Sequence, residues 1–115
     1  MEIRIKEIKN EEFKIEMEKM KDRRLIAIVG VDEGKDLSVY YIFDGENDVD
    51  SIKIKVPEKK PKIPTIIFNF PSAELYEREV HDFFGIEFEG NPNLHEKLFL
   101  PQDYRGKPPL LRRGD

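Results

Sequence analysis

Glu77, Glu79, His81 and Asp82 crowd the stretch EREVHD (77–82), in which five of six residues are ionisable. On a helix Glu77 and His81, four residues apart, face the same way, and with Asp82 they have the residue types of a metal site or an acid/base pair. Such chemistry needs convergence from a second segment. The only other histidine, His95, lies far along the chain in an expected loop. The stretch therefore reads as solvated or partner-facing charge, with a free-standing small metal-dependent enzyme using Glu77, His81 and Asp82, or an independent protein-binding module, as the alternatives. Glu74, Arg78 and Asp82 form one column at spacings of four, which predicts an ionic strut with the guanidinium between two carboxylates.

Other chemistries are excluded more simply. The chain has no cysteine, which removes disulfides, thiolate zinc sites, iron–sulfur ligation and a cysteine nucleophile together. No G-x-G-x-x-G, P-loop or G-x-S-x-G is present, so no cofactor, metal or nucleotide is expected. The formal charge of -4 gives no basic face for nucleic acid. No apolar run approaches the roughly 18–20 residues of a membrane span, and the expected location is the cytoplasm or the cytoplasmic side of a membrane. Abundant Lys and Glu, with no Trp and Gln102 as the one glutamine, fit a heat-adapted source.

The elements that must hold these residues fit one α+β domain, since 115 residues suffice for one core. Ile3, Ile5 and Ile8 suggest a short first strand. Asn10 can cap a helix with Glu11 and Glu12 in its first turn and an apolar stripe of Phe13, Met17 and Met20, read as core packing. LIAIVGV (25–31), LSVYYIF (37–43) and SIKIKVP (51–57) are strands joined by short turn-rich segments, which predicts an antiparallel meander. Lys53 and Lys55 mark a wet face on the last strand and would guard an edge. PEKKPKIP reads as a stiff, solvated connector, and TIIFNFP is balanced between strand and short helix. Ser72 then caps an amphipathic helix with Ala73, Tyr76, Val80, Phe83 and Phe84 on one side, ended by Gly85.

Beyond Gly85 the periodicity is lost. The expected organisation is an α+β body over 1–85 and, within the same domain, an irregular partner-docking tail over 86–115. Charge divides the same way. Glu74 to Glu89 carries six acids against Arg78, whereas Lys97 to Asp115 carries five bases against Asp103 and Asp115. A long aperiodic segment rich in Leu, Phe and Pro usually serves a partner, and its LFLP and PPLL would be costly to leave in water.

The run EREVHDFFGIEFEGNPNL resembles the signature of the 30 kDa peripheral subunit family of respiratory complex I, NADH:quinone oxidoreductase, and its relatives in membrane-bound [NiFe] hydrogenase-type complexes. The resemblance is carried by Glu77, Arg78, Glu79, Asp82, Phe84, Gly85, Ile86, Phe88, Gly90, Pro92 and Leu94. It continues in LFLPQDYRGKPPLLRR through Leu98, Phe99, Leu100, Pro101, Asp103, Tyr104, Gly106, Pro108, Leu110, Arg112 and Arg113. Asn91 stands where the family usually has His, Lys97 where Arg is usual, and the ending is irregular. The resemblance implies an antiparallel β-meander sheet packed with two helices, TIIFNFP as a short helical lead-in, and an extended C-terminal docking arm. It further implies a scaffold or assembly subunit, binding no cofactor and doing no chemistry of its own. That subunit would brace the large catalytic-type subunit and the small iron–sulfur subunit of a multi-subunit complex, peripherally at the cytoplasmic face of the membrane. Length and composition lean toward an archaeal hydrogenase-type or sulfur-reducing relative.

Overall fold

The computed structural model describes residues 2–94. In chain order it contains β1 (Ile3–Ile8), α1 (Phe13–Lys19), β2 (Arg24–Asp32), β3 (Asp36–Asp44), β4 (Val49–Pro57), β5 (Lys62–Pro64), α2 (Ala73–Phe84) and β6 (Glu87–Glu89). The three expected strands form the antiparallel meander β2–β3–β4, and β1 adds to β4 in parallel, giving the order β1-β4-β3-β2. β4 is thus internal, so Lys53 and Lys55 guard no edge. Lys53 instead meets Glu33 at 3.0 Å and lies 5.6 Å from the centre of the Tyr40 ring.

Period-2 alternation puts Leu37, Val39, Tyr41 and Phe43 of β3 and Ile52, Ile54 and Val56 of β4 on one face, all buried. Both helices cover that face. Phe13 and Met17 of α1 are buried in the core, Phe13 against Tyr41 with ring centres 5.4 Å apart, so the Met stripe packs the interior. The first turn of this region is 3-10 over Asn10–Glu12 and begins at Lys9, one residue before the expected cap, where Glu12 accepts the Lys9 N–H at 2.8 Å. Helix α2 brings Ala73 and Val80 into the core and lies on β2. Gly30 makes that approach possible: a Cβ there would sit 2.8 Å from the Phe84 ring and 3.2 Å from Val80. Ser72 occupies the N-cap position of α2 without a side-chain cap bond, and Gly85 closes the helix in the left-handed region at φ 76°.

Two expectations are corrected here. The proline connector is not all solvated loop, and the segment after Gly85 is not irregular throughout. Lys62–Pro64 and Glu87–Glu89 pair in parallel, with Ile63 opposite Phe88, both buried. Ile86 and Leu94 are buried as well, so the packed body continues to Leu94. Each strand is only three residues long, too short for a periodicity signal, and the first follows Pro61 and ends in Pro64. TIIFNFP is neither strand nor full helix. It makes one helical turn, with the Phe70 N–H donating to Ile66 O at 2.9 Å and the Phe70 ring set 5.3 Å from that of Phe43.

Candidate functional site

The acidic face of α2 turns inward. Glu77 is fully buried, and its carboxylate accepts from Thr65 Oγ1, from the Ile66 N–H at 2.9 Å and from Asn91 Nδ2 at 3.0 Å. Three separate segments meet on one side chain. The tight turn at 65–70 presents its first free N–H to Glu77, and Gly90, at φ 97°, directs the chain after β6 so that Asn91 reaches it. Asn91 Oδ1 also accepts the Asn93 N–H at 3.1 Å, and Asn93 Nδ2 donates to Glu74 Oε1 at 2.8 Å. Residues 91–93 are therefore tied to α2 by two rungs, Asn91 to Glu77 and Asn93 to Glu74.

Burial sets the electrostatics. Loss of solvent pushes the Glu77 carboxyl above its ordinary range, opposed in part by the donors from Thr65, Ile66 and Asn91. The phenol of Tyr41 is pushed well above its usual value, first by burial and then by the Glu77 charge, so it stays protonated. Arg78 is buried too, and its Nη1 lies 3.5 Å from Glu74 Oε1, which supplies the Glu74 end of the expected strut as a single contact. Asp82 is fully buried on the same helix.

Glu77 and Asp82 are thus buried and not solvated, Arg78 is buried beside them, and Glu79 is exposed as expected. Helical spacing alone reports which residues share a side, and it was the turn at 65–70 and the return of Asn91 that made this side an interior one. The alternative cluster does not assemble. His81 Nδ1 donates to Ile86 O at 2.9 Å, closing the helix end, and among the described residues no three His, Asp or Glu side chains gather as a metal site. Phe84 packs partly buried against the core, Gly85 and Gly90 hold positive φ, and Pro92 is exposed. The sites expected at Leu98, Phe99, Leu100, Pro101, Asp103, Tyr104, Gly106, Pro108, Arg112 and Arg113 lie outside the described residues. Thr65 and Asn91 were missed as site residues. The one sequence signal for them was the pair Asn91 and Asn93 around Pro92, a turn-forming pattern.

A helix capped by glycine is followed at once by a short strand and by an asparagine that locks onto the helix's own buried glutamate, and this geometry uses the signature residues from Glu77 to Leu94. Residues 6–113 match the family model for the respiratory-chain NADH dehydrogenase 30 kDa subunit. The chain belongs to this family. It is 44% identical over 71 residues to the C/D subunit of the Methylococcus capsulatus NADH-quinone oxidoreductase, covering 61% of this chain and 12% of that protein. It is 43% identical over 65 residues to subunit 5 of the Thermus thermophilus NADH-quinone oxidoreductase, covering 56% of this chain and 31% of that one. The matched part thus spans a third or less of these relatives' length. Among solved structures, a trypsin-resistant fragment of Nqo5 superposes with a TM-score of 0.68 at 33% identity, over 76% of this chain and 80% of that one. A chain of the membrane-bound sulfane sulfur reductase, an archaeal respiratory membrane complex, superposes with a TM-score of 0.79 at 26% identity, over 90% of this chain and 66% of that one. These likenesses agree with the expected α+β fold and family.

Proposed function

We propose that this chain is a non-catalytic scaffold subunit in the peripheral arm of a membrane-associated respiratory oxidoreductase complex. It braces the large catalytic-type subunit and the small iron–sulfur subunit. The observation that carries this reading is the commitment of Glu77: a carboxylate sealed by a hydroxyl, a backbone N–H and an amide has its acceptor positions filled from within the chain. Its work is to fasten residues 91–94 to the body, and from there residues 95–115 serve as the docking arm, basic by five bases to two acids from Lys97 onward and rich in Leu and Pro. Membership of the 30 kDa subunit family supports a place in such a complex, and the likeness to a chain of the sulfane sulfur reductase supports a complex of the archaeal membrane-bound type. No helix among the described residues is long and apolar enough to cross a membrane, in keeping with peripheral attachment, which we place at the cytoplasmic face.

The test is affinity purification of the chain from its own membranes, followed by identification of the proteins that travel with it. Recovery of a large [NiFe]-hydrogenase-like or complex I-type subunit and a small iron–sulfur subunit in equal amounts supports the reading. Recovery of the chain alone, holding a metal ion and turning over a substrate, would instead favour the small enzyme.

A further inference from the structure

The sheet has two outer strands, and they differ in what they offer. β2 carries an irregularity between Leu25 and Ala27 and lies under α2, both of which disfavour another strand at that side. β1 pairs with β4 without interruption from Ile3 to Ile8, and among the described residues nothing pairs with its other side. Glu2 O accepts the Val49 N–H at 2.9 Å, so in the alternation of a strand Glu2, Arg4 and Lys6 direct their backbone groups to β4. Ile3, Ile5 and Glu7 direct theirs outward. The side chains of Ile3 and Ile5 lie on the sheet face that neither helix covers, and they are 66% and 62% exposed.

On the opposite face the same edge borders a cleft of about 340 Å³ between β1 and α1, lined by Arg4, Lys6, Lys19 and Met20 with Glu16 and Asp50. Its charge is unbalanced. The nearly buried Glu16 serves both Lys6, at 2.9 Å, and Lys19, at 3.4 Å, while Asp50 serves both Arg4, at 2.8 Å, and Arg23, at 2.9 Å. Glu16 and Asp50 thus each meet two cations, Arg4 also approaches Asp48 at 3.5 Å, and the side chains of Arg4, Lys6 and Lys19 are more than half exposed.

We propose that β1 is a docking edge for an extended segment of a partner chain whose residues alternate between acidic and apolar. Added as a fifth strand, that segment would bond to the outward backbone groups of Ile3, Ile5 and Glu7. Its acidic side chains would enter the cleft beside Arg4, Lys6 and Lys19, and its apolar ones would cover Ile3 and Ile5. Charge decides between occupants. A second copy paired through β1 in antiparallel fashion would set Arg4 and Lys6 against their own counterparts, and the chain's own tail from Lys97 is basic, so both meet repulsion. The inference concerns a surface separate from residues 86–115 and stands whether or not those residues dock.

The experiment titrates the full-length chain with an acetylated peptide of repeated Glu-Val pairs and, separately, with its Lys-Val counterpart, while backbone amide resonances are followed. The acidic peptide is expected to shift residues 3, 5 and 7 together with Glu16 and Lys19, and the basic peptide to shift none of them. Ile5→Pro removes an outward N–H without touching the β4 ladder, a change an edge strand tolerates, and should weaken binding about tenfold, the order expected for loss of main-chain hydrogen bonds at one residue. Lys19→Glu leaves the backbone intact and should weaken the acidic peptide in a salt-dependent way. Equal binding of both peptides, shifts confined to α2 or β2, undiminished binding by both variants, or binding that develops only after residues 95–115 are removed would each overturn the proposal.

Discussion

Replacing Glu77 by alanine leaves two buried donors, the Ile66 N–H and Asn91 Nδ2, without their acceptor, and a hydroxyl, Thr65 Oγ1, without its partner. Each buried donor so orphaned costs about 1–3 kcal/mol. The lost volume adds to this, while relief from burying a charge subtracts from it. We therefore expect a net loss of about 2–4 kcal/mol, which for a domain of this size lowers Tm by roughly 10–25 °C. Urea and thermal unfolding of the full chain, followed by circular dichroism, measure it. Amide exchange adds a spatial readout: protection should fall first at Ile66 and at 91–94, with β3 and β4 retained until global unfolding. A loss below about 1 kcal/mol would show that water reaches these donors, and the sealed clamp on which the structural role of Glu77 rests would be refuted.

Three further outcomes follow from the same geometry. Because burial raises the Glu77 pKa, the folded state holds its proton more tightly than the unfolded state; this contribution favours folding at low pH and is lost as pH rises through the raised value. Glu16, held low by hydrogen bonding to Lys6, acts in the opposite sense and loses its contribution as pH falls through its lowered value, so stability should peak between the two, and Glu77→Gln should flatten the decline on the alkaline side. Gly30→Val should force the Phe84 ring and α2 away from β2 and cost about 1–3 kcal/mol by overpacking, read from urea midpoints at constant m-value. Asn91→Ala should raise amide exchange at Asn93 and Leu94 by about tenfold or more while leaving the meander unchanged, since it removes the rung to Glu77 and the acceptor for the Asn93 N–H.

Much of the fold was legible because its long elements carry strong periods. The meander strands are long β-branched and aromatic runs, with the alternation clearest at Ile52, Ile54 and Val56, and α2 repeats its apolar side over three turns before a glycine that only a left-handed cap requires. What escaped had weak local signals. β5 and β6 are three residues long, and the parallel pairing of β1 with β4 joins strands that the sequence separates by α1, β2 and β3. The inward turn of Glu77 depends on a clamp between residues 65, 77 and 91, a long-range coincidence that no helical wheel contains. The Glu74–Arg78–Asp82 column therefore has the spacing that the sequence predicts, with Arg78 and Asp82 buried and Glu74 partly exposed.

The claim that this chain braces partners through its C-terminal segment is tested most directly by deleting residues 95–115, which spares Asn91, Leu94 and the clamp on Glu77. Tagged full-length and truncated chains would be expressed in place of the native one, and their complexes isolated from membranes across a salt series. The account predicts that the full chain carries the large and the small iron–sulfur subunits through high salt, because buried apolar area outweighs exposed ion pairs worth about 0–1 kcal/mol each, and that the truncated chain, folded to the same Tm, carries neither even at low salt. A truncated chain that still holds both subunits at high salt would place the interface on the globular body and contradict the account.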